Sequence, residues 1–201
     1  MRIIAGRHKG RRLKTLPGTA IRPTSDRLRE TLFNILAPWI QDAVFIDCYA
    51  GTGAVGVEAL SRGARQVYLI ESDPAATSII ESNLAFLPSH ETIPCWRMTG
   101  HSGLKRLAAM KIQADICYLD PPYPALTEAL EDMLVLVKTD VMRPEGWIIL
   151  EHAKRDATPE SIGAPPQQWQ RTRLLTQGTS ALSFYRMASV VVSKANSSGT
   201  I

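Results

Sequence analysis

Two short turns in this chain carry residue types that could do chemistry. Asp120-Pro121-Pro122-Tyr123 directly follows the apolar run Ile116-Cys117-Tyr118-Leu119. Earlier, Asp47-Cys48-Tyr49-Ala50-Gly51-Thr52-Gly53 follows the strand-like run Val44-Phe45-Ile46. The first turn suits an amine attached to a flat ring. Such an amine is a poor nucleophile because its lone pair is delocalised into the ring. Two acceptors aimed at its two N–H groups localise that pair, and Asp120 Oδ and the Pro121 carbonyl supply them. The prolines fix φ and keep the turn from collapsing into a helix, while Tyr123 offers a ring for stacking a base. Methyl transfer to such an amine needs no metal and no nucleophilic side chain, because a sulfonium donor brings its own leaving group. The bland alternative is a Pro-Pro loop break with a half-buried tyrosine. The position after a strand, downstream of a glycine turn, favours the chemical reading.

The glycine turn extends to Gly51-Thr52-Gly53-Ala54-Val55-Gly56, a G-x-G-x-x-G spacing between strand and helix. Its glycines allow a tight turn and close ligand approach, and the last allows close helix packing. Alone this pattern also fits a dinucleotide fold. Two strand-end acids shift the balance toward S-adenosylmethionine: Asp47 just before the turn, and Glu71, whose carboxylate can accept both ribose hydroxyls. Asp73 with Pro74 reads as a helix cap. The cofactor adenine is expected at the loop after the third strand, Met98–Ser102, with the Gly100 backbone as the candidate contact.

Composition sets the class. With 201 residues and 45% hydrophobic content, the chain can build one full α/β core with a small appendage. No apolar run approaches the ~18 residues of a membrane span, and the N-terminus has no signal-peptide pattern, so a cytoplasmic protein is expected. Cys48, Cys95 and Cys117 form no metal or disulfide spacing, and no metal site is expected. The net charge of +4 is unevenly spread. Residues 1–29 hold nine basic side chains, including Arg7, Arg11, Arg12, Arg22, Arg27 and Arg29, against the single acid Asp26. A basic arm on an acidic body points to a polyanion such as RNA or DNA.

The elements that must position these turns follow from periodicity. Residues 1–20 read as a basic hairpin closed by Pro17-Gly18. Ser25 or Thr24 caps a helix whose apolar stripe is Leu28, Leu32, Ile35, Leu36 and Trp39. From residue 43 the chain alternates strands (44–47, 66–71, 94–98, 114–120, 147–152) with helices (54–61, 74–86, 102–110, 126–137). Near-continuous apolar strands imply a mostly parallel sheet covered on both faces. Residues 153–167 read as loop, and two late runs, 169–176 and 181–192, read as an antiparallel hairpin. The expected divisions are a hairpin extension (1–20), a catalytic domain (21–193) and a disordered tail (194–201).

Three blocks carry a family resemblance: Arg2–Gly6 with Gly10–Leu13, Arg22–Leu36, and Asp47–Ala64. Glu71, Asn83-Leu84 and Asp120–Tyr123 follow in order. On these residues the chain resembles the bacterial 16S rRNA guanine-N2 methyltransferases of the RsmD type, over about residues 1–192. The resemblance implies a seven-stranded Rossmann-like methyltransferase sheet with an antiparallel C-terminal strand and a small N-terminal β-hairpin. It implies S-adenosylmethionine as cofactor and N2-methylguanosine in 16S rRNA as product, within a small ribosomal subunit or assembly intermediate. By position, Gly51, Gly53 and Glu71 would bind cofactor, with Asp47 and Gly100 beside them. Asp120, Pro121 and Tyr123 would hold the guanine. Arg22, Thr24, Arg27 and Arg29 would line the RNA or cofactor side, and Arg7, Arg11, Arg12 and Pro122 are expected to meet RNA. At Gly100-His101 the chain departs from the polar Asp or Asn that members often carry. A monomer is expected. The competing readings are a DNA-adenine or protein-glutamine methyltransferase, an NAD-dependent oxidoreductase and an inactive RNA-binding module. The oxidoreductase reading leaves Asp120–Tyr123 and the basic arm unused, and it lacks a catalytic Tyr/Lys or His.

Overall fold

The computed structural model describes residues 1–15, 25–88 and 93–188, with only the backbone of Tyr123. The expected tail at 194–201, the Pro17-Gly18 turn, Arg22 and Thr24 lie outside the described residues. The chain divides into two compact units, Met1–Gly103 and Leu104–Ile201.

The first unit is built on three parallel strands in the order β3-β2-β1: β1 (Val44–Cys48), β2 (Gln66–Glu71) and β3 (Cys95–Arg97). β1 is buried at every position, which is why its sequence is apolar apart from Asp47. Helix α1 (Asp26–Ile40) starts where Ser25 Oγ accepts the Leu28 N–H at 3.1 Å. Its buried face holds Leu28, Leu32, Phe33, Leu36 and Ile40. The expected stripe is rotated: Trp39 is 37% exposed, and Phe33 turns inward to stack on Phe45 of β1.

Helix α2 (Ala54–Ser61) is buried along its whole length and packs on β1 and β2. Close packing requires Gly56, because a Cβ there would sit 2.3 Å from Leu69 Cδ2. Helix α3 (Pro74–Leu84) is capped by Asp73, whose carboxylate accepts from Ala75 and Ala76 N–H. Helix α4 (Gly100–Ala109) begins this side of the division and ends beyond it.

The N-terminal residues form a short hairpin rather than two full strands. It has one antiparallel bridge, Arg2 to Arg12, flanked by Ile3 N–H to Arg11 C=O and Gly10 N–H to Ile3 C=O, each at 2.9 Å. Its strength comes from docking. The Glu58 carboxylate on α2 accepts from Ile4 N–H (2.7 Å) and Ala5 N–H (3.0 Å). Ser61 Oγ donates to Ala5 C=O and accepts from His8 N–H.

The second unit carries β4 (Ala114–Leu119), α5 (Leu126–Lys138), β5 (Met142–Ala153), β6 (Ser161–Ile162), β7 (Trp169–Gln177) and β8 (Ser180–Met187). β5 runs parallel to β4 and antiparallel to β8, and β7 and β6 continue the antiparallel edge. The fold is therefore an α/β sheet of mostly parallel central strands with antiparallel C-terminal ones. Eight strands are present among the described residues; the additional one is β6, two residues inside the segment expected to be loop. β8 runs unbroken through Tyr185 and Arg186, both buried and paired across to β7.

Candidate active site

In the first unit, the turn after β1 is held in an unusual backbone path. Tyr49 (φ 64°), Gly51 (φ 56°) and Gly53 (φ 76°) all adopt left-handed conformations. Ala50 N–H bonds Ile70 C=O at 3.0 Å, which staples the turn to β2, and Gly53 N–H closes it on Ala50 C=O at 2.7 Å. A Cβ on Gly51 would meet nothing within 4 Å, so the turn borders open space on that side.

Two carboxylates organise this turn. Glu71, at the end of β2, accepts Gly51 N–H on one oxygen (2.7 Å) and Asp73 N–H on the other (2.8 Å). Asp47 Oδ2 accepts Gly56 N–H at 2.8 Å in the first turn of α2. Asp47 is 1% exposed, and burial pushes its carboxyl from 3.8 up to about 8. The Gly56 N–H opposes that rise, and the charge of Glu71 adds to it. The four expected cofactor residues Asp47, Gly51, Gly53 and Glu71 thus gather at one strand-helix corner. Gly100 is buried at the first position of α4, which Thr99 caps by accepting the Ser102 N–H.

Asn83 is a residue whose role sequence reasoning missed. It is 4% exposed; its amide nitrogen donates to Thr52 C=O (3.0 Å) in the glycine turn and to Lys14 C=O (3.1 Å) on the arm. Its Oδ1 accepts Lys14 N–H at 2.7 Å. One buried amide therefore fixes both the glycine turn and the end of the basic arm.

The arm itself presents cations. Arg7, Arg11, Arg12 and Lys14 are exposed. Arg11 Cζ lies 4.0 Å from the Phe86 ring centroid, and His8 meets the same ring edge-on at 5.2 Å. Arg27 is exposed on α1. Arg29 is a correction: it is 0% exposed, so its guanidinium cannot meet an RNA phosphate in this fold. Instead it donates to Arg2 C=O (2.6 Å) and Asp26 Oδ1 (3.0 Å) and lies 3.8 Å from Glu58 Oε2. Glu58, also 0% exposed, is bonded by Arg62 Nε at 2.7 Å. The signal for this knot was an acid in the otherwise apolar helix Ala54–Ser61, which demands a buried cation.

In the second unit, Asp120 follows the last residue of β4 and is half-buried. Pro121 is buried and Pro122 exposed, with Pro122 extended at φ −57°, ψ 144°. A 3₁₀ turn, Tyr123–Ala125, follows, closed by Ala125 N–H on Pro122 C=O at 2.8 Å. Pro122 is extended, and the two fixed proline φ angles stiffen the backbone that carries Asp120 and the Pro121 carbonyl. Tyr118, buried in β4, donates its hydroxyl to Glu151 Oε2 at the end of β5, a pair that sequence reasoning also missed.

The model of the family described as "Conserved hypothetical protein 95" matches residues 1–186. Ribosomal RNA small subunit methyltransferase D of Escherichia coli is 36% identical over 188 residues, covering 92% of this chain and 89% of that protein. The chain belongs to this methyltransferase D family. The putative rRNA methyltransferase YlbH of Bacillus subtilis is 32% identical over 187 residues, 92% of this chain and 98% of that protein. Among solved structures, the putative methyltransferase yhhF from Escherichia coli superposes with a TM-score of 0.77 at 36% identity, covering 93% of this chain and 97% of that one. More distant structures share the fold alone. They include a putative SAM-dependent methyltransferase from Streptococcus mutans (14% identity, TM-score 0.64, 85% and 50% coverage). Another is a putative methyltransferase complexed with SAH (13%, 0.59, 79% and 49%). The first of these is described as SAM-dependent and the second holds SAH; S-adenosylmethionine is the cofactor expected here from the two strand-end acids. The open face of Gly51 beside the Glu71 carboxylate fits such a ligand. No helix among the described residues is long and apolar enough to cross a membrane.

Proposed function

We propose that this methyltransferase D family member transfers a methyl group from S-adenosylmethionine to the exocyclic N2 amine of a guanine in 16S rRNA. The observation that carries the reading is Asp120 directly after β4, in a turn that two prolines stiffen. Family membership supports rRNA as substrate, since the E. coli relative is named for the small subunit.

In this reading, S-adenosylmethionine supplies a methyl group already activated by a positive sulfur. Gly51 and Gly53 give it backbone access, and Glu71 accepts its ribose hydroxyls while still holding the turn through Gly51 and Asp73. Asp47 keeps the turn aligned through Gly56 N–H. Asp120 accepts one N–H of the guanine amine and the Pro121 carbonyl the other, which localises the lone pair on nitrogen and withdraws it from the ring. The positive charge that develops on nitrogen is stabilised by the Asp120 carboxylate, and the surplus proton leaves to that acceptor or to water. Tyr123 stacks on the base, and Pro122 and the exposed cations Arg7, Arg11, Arg12 and Arg27 meet RNA. Arg22 and Thr24 are proposed as further contacts to RNA or cofactor. Arg29 is not; it braces the arm.

The test is transfer of labelled methyl from S-adenosylmethionine to small-subunit RNA lacking its native methylation. Free RNA and assembled subunits are run side by side. Label in either, recovered as N2-methylguanosine, is the expected result. Label in DNA adenine or protein glutamine with none in RNA would overturn the reading.

A further inference from the structure

We infer that Glu151 reads the Watson–Crick edge of the target base, accepting the guanine N1–H next to the amine that Asp120 holds. This inference rests on the guanine-N2 reading above and names the residue that makes the site select guanine.

The placement comes from strand register. β4 and β5 run parallel with Tyr118 opposite Ile149 and Leu119 opposite Leu150. Asp120 is the next residue, one past the end of β4, and Glu151 is the next residue of β5. Carried one residue beyond β4, the alternation of side chains along a strand sets Asp120 on the Tyr118 face. The Tyr118 hydroxyl donates to Glu151 Oε2, which puts the Glu151 carboxylate on that same face. Tyr118 is 0% exposed and Glu151 is 8% exposed. A rigid phenol near the end of β4 thus orients an almost buried carboxylate on the neighbouring strand β5.

The residue type is informative. β5 reads Trp147-Ile148-Ile149-Leu150 before it reaches Glu151, and a carboxylate placed after such a run costs desolvation. A neutral acceptor such as glutamine would satisfy the Tyr118 hydroxyl at lower cost. A carboxylate differs in being acceptor-only, with about four lone-pair sites, so a bond from Tyr118 is compatible with further donors. Guanine presents contiguous donors on one edge, N1–H and the N2 amine. Adenine and cytosine present a bare ring-nitrogen acceptor at the corresponding position. Two neighbouring carboxylates match the first pattern and repel the second.

The experiment uses two substrates that carry the same 2-amine: small-subunit RNA with guanine at the target position, and the same RNA with 2-aminopurine there. In 2-aminopurine, N1 has no proton and is an acceptor. The full-length wild type is expected to favour guanine by about 100-fold or more in kcat/KM, as a site built around a hydrogen-bond donor does. Rates within threefold would overturn the inference without any variant being made. In Glu151→Gln the amide can donate to N1, so the preference is expected to shrink at least tenfold. S-adenosylmethionine affinity, measured by calorimetry, should not change. In Glu151→Asp, which keeps the charge, activity falls but the guanine preference stays. A Glu151→Gln protein that binds cofactor and loses both substrates in equal proportion would show Glu151 to be only a brace for Tyr118, and would overturn the inference. Absence of transfer to the guanine RNA by the wild type would overturn the guanine-N2 reading and this inference with it. Transfer with an unaltered ratio in Glu151→Gln would overturn this inference alone.

Discussion

Replacing Asp47 with asparagine should change how stability depends on pH. The Asp47 carboxyl is sealed in the first unit, and burial raises it from 3.8 to about 8. In the unfolded chain it ionises near the lower value. The native state therefore keeps a proton that the unfolded state releases, and the resulting stability is full below pH 3.8. It is lost as pH rises through the folded value of about 8. Each pH unit in that window costs about 1.4 kcal/mol, so the span of about four units corresponds to an order of 5 kcal/mol. Asparagine keeps an acceptor for the Gly56 N–H, bonded at 2.8 Å in the wild type, and does not titrate. Urea unfolding of both proteins at a series of pH values from 5 to 8 isolates this group, because titrations not coupled to Asp47 cancel in the difference. The stability advantage of Asp47→Asn should grow by about 1.4 kcal/mol per pH unit across the series. A difference that stays flat from pH 5 to 8 would refute the argument that burial governs this carboxyl.

Three further outcomes test the scaffold and the arm. Glu58→Ala removes a buried acceptor for Ile4, Ala5 and Arg62 and should cost about 3–5 kcal/mol, with loss of amide protection at Ile4 and Ala5; unchanged protection would show that the arm docks by other means. Asn83→Ala leaves Thr52 C=O and Lys14 C=O without this buried donor. About 1 kcal/mol of lost order in the glycine turn would weaken S-adenosylmethionine binding about fivefold by calorimetry. Equal affinity in the two proteins would uncouple Asn83 from the cofactor turn. The double change of Arg11 and Arg12 to Ala should weaken RNA binding and reduce its salt slope by ~1 for each phosphate no longer neutralised, whereas an identical slope would remove the arm from the interface.

Local pattern carried much of this architecture. The cap at Ser25, the cap-and-proline pair Asp73-Pro74, and the span of β2 from Gln66 to Glu71 all follow from neighbours in sequence. So does the tight seat of Gly56 against Leu69, which the third glycine of the turn announced. What local pattern could not show were partners distant along the chain. Arg29 looked like one more cation of a basic arm, yet its environment is set by Glu58 and the Arg2 carbonyl, both remote in sequence. The inward turn of Phe33 in place of Trp39 is likewise decided by a partner, Phe45, on another element. β6 spans two residues, too short for any periodicity to register. At the candidate site, the residues that touch ligand in the proposed reading were legible because turn chemistry is local. Asn83, Tyr118 and Glu151, which orient the turns or lie beside them, became visible only through their hydrogen bonds.

In the proposed reaction Asp120 activates a guanine amine. The most direct test is nucleoside analysis of undermethylated small-subunit RNA after reaction with S-adenosylmethionine and either the wild type or Asp120→Ala. N2-methylguanosine is expected with the wild type. With Asp120→Ala the rate is expected to fall at least about 100-fold while cofactor affinity is retained. N2-methylguanosine formed at the same rate by both proteins, or a different methylated nucleoside from the wild type, would contradict that reaction.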